Sequence, residues 1–272
     1  MGEPCDLQSL LLRVLLVLYA WGRRHLTPDA ARITVLLAAF VPLTPYFVAF
    51  RAASLFVLLS ALSLDAVDRL RWSNALAWGA LAGLARPPGI VLVVPFAVGV
   101  WLAERRTVRR LAWLAGSVAF GSGFAVLAVV DHRVSGNALA FLKGQEAWGK
   151  RIGIPFASEL RAALSMHTFT ALVGAGAALV VSAVGLVAAP FLARLREWRP
   201  AAAYLAVTIV LSNASTTYLA IPRFIVEAPP LFFGLALIAQ RFRWEYGVLL
   251  GEWEPAGLYS ALWTLGVKGV RA

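Results

Sequence analysis

Arg86 sits where a cation is costly. It belongs to LARPPGIVLVVP, residues 84–95, in which one charge and two consecutive prolines interrupt a run that is otherwise apolar. At membrane depth an arginine costs about 2.5 to 3.5 kcal/mol on insertion scales, so the side chain requires a cavity, a partner or a ligand. Pro87 and Pro88 remove two backbone donors and disfavour helix at Ala85 and Arg86. Broken backbone at that depth is tolerated only where it packs in protein or lines a water-filled space. The segment therefore predicts a polar cavity into which Arg86 points. Snorkelling of the long side chain to the interface is the plainer alternative.

Two further groups have suitable types and spacing. Residues 212–230, SNASTTYLAIPRFIVEAPP, place Ser212, Asn213, Ser215, Thr216, Thr217 and Tyr218 near one end of an apolar run, followed by Pro222, Arg223 and Glu227. Hydroxyls in a span often only bond a neighbouring helix. So many ahead of a Pro-Arg corner exceed what packing requires, and the planar fork of an arginine suits a phosphate or carboxylate. Against this stands a local reading, in which Glu227 lies one turn into the next helix and pairs with Arg223 at i, i+4. Gln145, Glu146 and Trp148 form a polar and aromatic set of the kind that holds sugars.

The elements that must position these residues are membrane helices. Hydrophobic residues make up 60% of the 272-residue chain and charged residues 14%, with a mean hydropathy of +0.76, against roughly 25% charged residues in soluble domains. The expected fold is all-α, a polytopic helix bundle forming a single domain over residues 1–272. A net charge of +11 would suit nucleic acid if the basic residues formed one solvated face. They fall instead in short clusters between apolar runs, so no nucleic-acid partner is expected. Cys5 is the single cysteine, and His25, His132 and His167 stand far apart. No structural metal or other cofactor is expected.

Apolar runs at residues 7–21, 33–50, 54–67, 75–86, 89–103, 111–130, 169–193, 200–218 and 225–240 read as nine spans, some short or broken. The first lacks the basic flank and cleavage site of a signal peptide. At 15 residues it falls short of the roughly 20 needed to cross unaided, which fits the remnant of a longer helix. If the spans alternate, the turns holding Arg23, Arg24, Arg32, Arg69, Arg71, Arg105, Arg106, Arg109, Arg110, Arg194, Arg196, Arg199, Arg241 and Arg243 share one side. They carry 14 of the 25 basic residues, so that face is cytoplasmic and the N-terminus lies outside. The outer face then collects residues 1–6, the turn at Arg51, the break at 86–89, a loop over 131–168 and the corner at 222–224. In that loop Phe141, Trp148, Ile152, Ile154 and Phe156 alternate with Lys143, Lys150 and Arg151. This suits either an interfacial amphipathic helix or an ordinary packed loop. Residues 245–272 hold two apolar pieces separated by Glu252 and Glu254, which favours an interfacial tail after a cytoplasmic C-terminal end of the bundle.

These features occur in an order that resembles the C superfamily of membrane glycosyltransferases, most closely the PIG-V-like mannosyltransferase family and its bacterial relatives. The resemblance runs over about residues 10–240. It rests on ARITVLLAAFVPLTPYFVAFRAASLFVLLSAL (31–62), AGLARPPGI (82–90), FLKGQEAW (141–148) and STTYLAIPRF (215–224). It implies an integral protein of a bacterial inner (plasma) membrane that transfers a sugar, mannose by analogy, from a polyprenyl-phosphate donor on the outer face with inversion. The acceptor would be a lipid or glycan. Arg86 and Arg223 would bind the donor phosphate, and Gln145, Trp148, Ser215 and Tyr218 would hold sugar or acceptor.

Two departures matter. Such families carry a catalytic acid in an outer loop ahead of the segment matching Leu7, and this sequence begins after it. No catalytic residue is therefore assigned, and a fragment, a partner-dependent subunit or an inactive relative is expected. Where relatives have an acidic residue before Ser-Leu-Phe, this chain has Ala53 in FRAASLF. A transporter or flippase-like carrier of an anionic lipid or small anion explains the broken helix and the arginine equally well, although a second RPPG-like break is not found in the other half. A scaffold subunit whose polar residues only pack helices is the third reading.

Overall fold

The computed structural model describes residues 5–41, 51–147, 151–165, 169–215 and 220–242. Among these the chain is all helical, with no strand beyond an isolated bridge between Ile152 and Ser215. Helices α1 (Cys5–Gly22), α2 (Pro28–Phe40), α3 (Arg51–Asp68), α4 (Trp72–Ala85) and α5 (Val93–Ala103) are followed by α6 (Thr107–Gly116) and α7 (Ser122–Ser135). Then come α8 (Ala140–Ala147), α9 (Ala157–Ser165), α10 (Phe169–Ala193), α11 (Arg199–Asn213), α12 (Ile221–Val226) and α13 (Pro230–Phe242).

Local chemistry sets the boundaries. Thr27 caps α2 by accepting the Ala30 N–H at 3.3 Å, with Pro28 opening the helix. Gly136 ends α7 in the left-handed region at φ 71°. Helices α3, α4, α5 and α11 pack at the centre, with α1 and α2 on one side and α10, α12 and α13 on another. Trp21, Trp198 and Phe233 fill one end of this core, with ring centroids 4.7 to 5.1 Å apart.

The basic turns gather at that same end. Arg24 pairs with both Asp65 and Asp68, and His25 Nε2 lies 2.8 Å from Asp68 and packs its ring on Trp198. Gln240 donates to Thr27 Oγ1 at 2.9 Å. Gly99 lies against Val67 and Trp72, which brings the turn at 104–106 alongside. Each central helix then runs about 20 Å away from this end at 1.5 Å per residue. The opposite end holds the C-termini of α4 and α11.

The stretches Thr107–Ser135 and Gly174–Ala193 are long and apolar enough to cross a membrane, at mean hydropathies of 1.9 and 2.1. The first reaches further each way than the 111–130 expected. It packs in parallel on α4 through small residues: a Cβ at Gly123 would lie 1.9 Å from the Gly83 carbonyl oxygen, and one at Gly79 would meet the Phe120 ring.

The described residues of 131–168 are mostly helical, in the end of α7 and in α8 and α9. Asp131 Oδ2 accepts the Phe141 N–H at 2.6 Å, and Phe124 meets Phe141 edge to face, which seats α8 on α7. Residues 151–158 fold back onto the end of α11. There Gly153 and Phe156 donate to Ala214 and Asn213 at 2.6 and 3.0 Å. Ile152 and Ile154 stay 96% and 75% exposed, so the apolar residues of this segment are not collected on one buried face.

Candidate functional site

Two Pro-Pro breaks bring opposite charges together. At the first, α4 stops at Ala85, Arg86 is extended at φ −157° and ψ 140°, and Pro87 starts a 3-10 turn to Leu92. That turn lies directly on the last turn of α4. A Cβ at Gly89 would sit 2.4 Å from the Gly83 nitrogen, so this close backbone approach needs glycine.

At the second break, α12 ends at Val226, Glu227 is its C-cap, and α13 starts only at Pro230. This revises the expected position of Glu227 one turn into a helix over 225–240. Pro229 and Pro230 cannot donate to a helix ladder, so the run breaks at the carboxylate and turns it inward. It also supplies a second Pro-Pro interruption, of the form EAPP, where the search for an RPPG pattern finds none.

Arg86 Nη1 donates to Glu227 Oε1. Arg223 Nε lies 3.8 Å from the same oxygen, one helical turn away. The side chains are 13%, 1% and 20% exposed for Arg86, Glu227 and Arg223 respectively. Phe224 lies under both guanidinium groups, at 5.8 Å from Arg86 and 5.0 Å from Arg223, and the Phe56 ring lies 5.7 Å from Arg86. The expected local approach of Glu227 to Arg223 is present, and Glu227 also pairs across the bundle with Arg86, which the sequence reading did not foresee. Arg86 does not snorkel away. It reaches a carboxylate 141 residues along the chain.

Two cations share one anion, so the triad carries a net charge of +1. Arginine presents five donors in a planar fork, and Glu227 Oε2 is buried without a hydrogen-bond partner among the described residues. A planar fork of donors of this kind suits an anion of phosphate type.

Compared with known proteins, the chain matches no family model, no curated protein and no solved structure.

Two of the other expected site residues fall on described segments. Ser215 follows the C-cap of α11, Ala214; its carbonyl accepts from Ser158 Oγ at 3.0 Å and its backbone bridges to Ile152. Gln145 is carried by α8, which packs on α7. Trp148 and Tyr218, like residues 245–272, lie outside the described residues. Among the described residues no group of three His, Cys, Asp or Glu side chains could hold a metal ion.

Sequence reasoning missed the buried hydroxyls that bond one another through Tyr204 within electrostatic reach of Arg86 and Glu227. Ser60 on α3 and Tyr204 and Thr208 on α11 are 0%, 2% and 8% exposed. Their signal was helical spacing within apolar runs: Phe56 and Ser60 are four apart, as are Tyr204 and Thr208, so each pair shares a face. Glu159 was missed as well. It is fully buried on α9, with Oε2 accepting from Ser158 Oγ at 2.8 Å.

Proposed function

We propose that this chain is a membrane glycosyltransferase, or the donor-binding part of one, that takes a hexose from a polyprenyl-phosphate carrier at the outer face of a bacterial plasma membrane. The observation that carries the reading is the convergence of the Arg86 and Arg223 side chains on the buried carboxylate of Glu227. Mannose is the sugar the family resemblance implies. In the transfer, an acceptor oxygen forms a bond to the anomeric carbon while the bond from that carbon to the phosphate oxygen breaks, and the electron pair leaves with polyprenyl phosphate. Charge grows on the phosphate as this happens. A fixed guanidinium aimed at it lowers the barrier, because it needs no reorganisation in a low-dielectric site. The acceptor proton passes to a base that no residue assigned here supplies, so binding is the property to measure first.

The membrane setting draws support from the exterior of residues 107–135, where Val108, Leu111, Val118 and Val134 are 60% to 83% exposed. Apolar area of this extent facing water would be a liability, and facing lipid it is not. The nine-span bundle, with the basic turns cytoplasmic and the triad on the outer side, follows from the positive-inside pattern.

A carrier of an anionic lipid or small anion is the second reading, favoured by the paired Pro-Pro breaks at Arg86 and Glu227. Titrating purified protein with a labelled polyprenyl-phosphate-mannose tests the first reading. Binding weakened by Arg223→Ala supports it, and binding indifferent to that change removes it. Downhill flux of the lipid phosphate in proteoliposomes, without sugar transfer, would favour the carrier.

A further inference from the structure

The turn between α5 and α6 carries more positive charge than it neutralises. Residues 104–110, ERRTVRR, hold four arginines and one glutamate, a net charge of +3. Two of these residues fix the turn itself. Glu104 ends α5, its Oε1 accepts the Arg106 N–H at 3.1 Å, and its carbonyl accepts from Arg110 Nε and Nη2 at 3.0 and 2.6 Å. The Arg110 guanidinium lies 4.5 Å from the centre of the Trp101 ring. Arg105, Arg106 and Arg109 are left exposed, with no ion pair among the described residues. Arg106 and Arg109 are three apart at the start of α6, where like charges repel. An anion held between them relieves that repulsion. Beside this turn the surface is apolar: Trp101 and Leu102 on the last turn of α5 are exposed, and so are Val108, Leu111, Ala115 and Val118 beyond it. The last four recur at spacings of three and four, which makes them one stripe of the helical run. From Val108 to Val118 the stripe extends about 15 Å at 1.5 Å per residue, half of the roughly 30 Å hydrocarbon core and so one leaflet deep.

We propose that this surface binds one anionic phospholipid from the leaflet on the side read as cytoplasmic. Its phosphodiester lies among Arg105, Arg106 and Arg109, and an acyl chain lies along Val108, Leu111, Ala115 and Val118. Charge and length together choose this occupant. The planar fork of an arginine takes phosphate oxygens in pairs, and each arginine beside a span adds roughly fivefold to the attraction for an anionic headgroup. A free phosphate would leave the apolar stripe unused. Nucleic acid would require a broad solvated basic face, where this one is a single basic turn above an apolar stripe. The inference needs the membrane setting and is independent of the glycosyl-donor reading, since Arg86, the C-cap of α4, lies at the opposite end of the bundle.

The test is native mass spectrometry of the full chain in detergent with two probes, dioleoyl phosphatidylglycerol and dioleoyl phosphatidylcholine, which share their chains and differ in net charge. The wild type should retain the anionic lipid about tenfold better, the arginine contribution being reduced by screening at an exposed site. Replacing Arg105, Arg106 and Arg109 together by Gln should bring that preference to about twofold or less. Replacing Arg194, Arg196 and Arg199 together by Gln removes the same charge from another basic turn and should leave the preference within about twofold of wild type. Thermal unfolding checks each variant; should the first triple fail to fold, Arg105→Gln alone carries the test, with an expected loss of about threefold. Equal retention of the two lipids by the wild type, or of neither, overturns the site. Equal losses in the two triple variants would mean attraction to diffuse charge and also overturn it. Glycerophosphoglycerol, the same headgroup without chains, should not displace the lipid at a hundredfold excess. Displacement would leave an anion site without the apolar stripe and overturn the assignment of a phospholipid.

Discussion

Removing the Arg86 guanidinium should destabilise the bundle far more than removing that of Arg223, although both face the same carboxylate. Glu227 is 1% exposed and Oε1 receives its hydrogen bond from Arg86, whereas Arg223 Nε stays at 3.8 Å, beyond hydrogen-bond reach of that oxygen. Arg86→Ala leaves a buried carboxylate without its bonded cation, a change that costs about 3 to 5 kcal/mol when one partner of a buried pair is deleted. Arg223→Ala leaves the bonded pair intact, and its approach to Glu227 is a Coulomb contact at a partly exposed site that contributes about 1 kcal/mol or less. The double replacement Arg86→Met with Glu227→Leu removes both charges. It should recover most of the loss, because the penalty lies in the unpaired charge rather than in the missing bond. The assay is reversible unfolding in mixed micelles for wild type, Arg86→Ala and Arg223→Ala, and for Arg86→Met, Glu227→Leu and their combination read as a double-mutant cycle. Equal costs for the two arginine variants, or a double variant as unstable as the sum of its singles, would refute this account of the triad.

Other expectations follow from close approaches and from topology. Gly89→Ala forces a Cβ to 2.4 Å from backbone and should lower stability by about 2 kcal/mol or more. Gly176→Ala, on an α10 face with nothing within 4 Å, should raise it by about 0.5 to 1 kcal/mol through helix propensity; thermal unfolding ranks the two. Asp68→Asn loosens the contacts of Arg24 and His25 at a partly exposed end and should cost about 1 kcal/mol or less in the same measurement. In a Cys5→Ala background, a membrane-impermeant thiol reagent on intact cells should label Ile154→Cys and not Arg196→Cys. The reverse pattern would invert the proposed orientation.

Arg86 was legible in the sequence because a charge and two prolines in an apolar run violate two rules at once, and the physics of either violation demands a partner. The identity of the partner was not legible. Arg86 and Glu227 are 141 residues apart, and only the packing of α3, α4, α11 and α12 brings them together. The break at Pro229 and Pro230 could have been read in advance, since it repeats the donor loss at Pro87 and Pro88; the search for glycine after the prolines hid it. Helix ends followed capping chemistry closely at Thr27 and Gly136. The grouping of basic turns at one end followed from alternation of the spans. The 131–168 segment was harder, because α8 depends on a capping carboxylate ten residues away, Asp131, and short-range periodicity carries no trace of such a contact. The hydroxyls of Ser60, Tyr204 and Thr208 looked like ordinary polar residues within spans. Their hydrogen bonding through Tyr204 arises only from the packing of α3 on α11.

The most direct test of the account is the contribution of the phosphate to lipid binding. Wild-type protein in nanodiscs should bind a labelled polyprenyl phosphate at least about tenfold more tightly than the corresponding polyprenol, since a charge-assisted contact contributes about 1.5 to 3 kcal/mol. Arg223→Ala, which keeps the Arg86–Glu227 pair, should shrink that difference to about threefold or less. Equal affinity of the wild type for the two lipids, or a preference untouched by Arg223→Ala, would contradict the claim that this buried triad is an anion site.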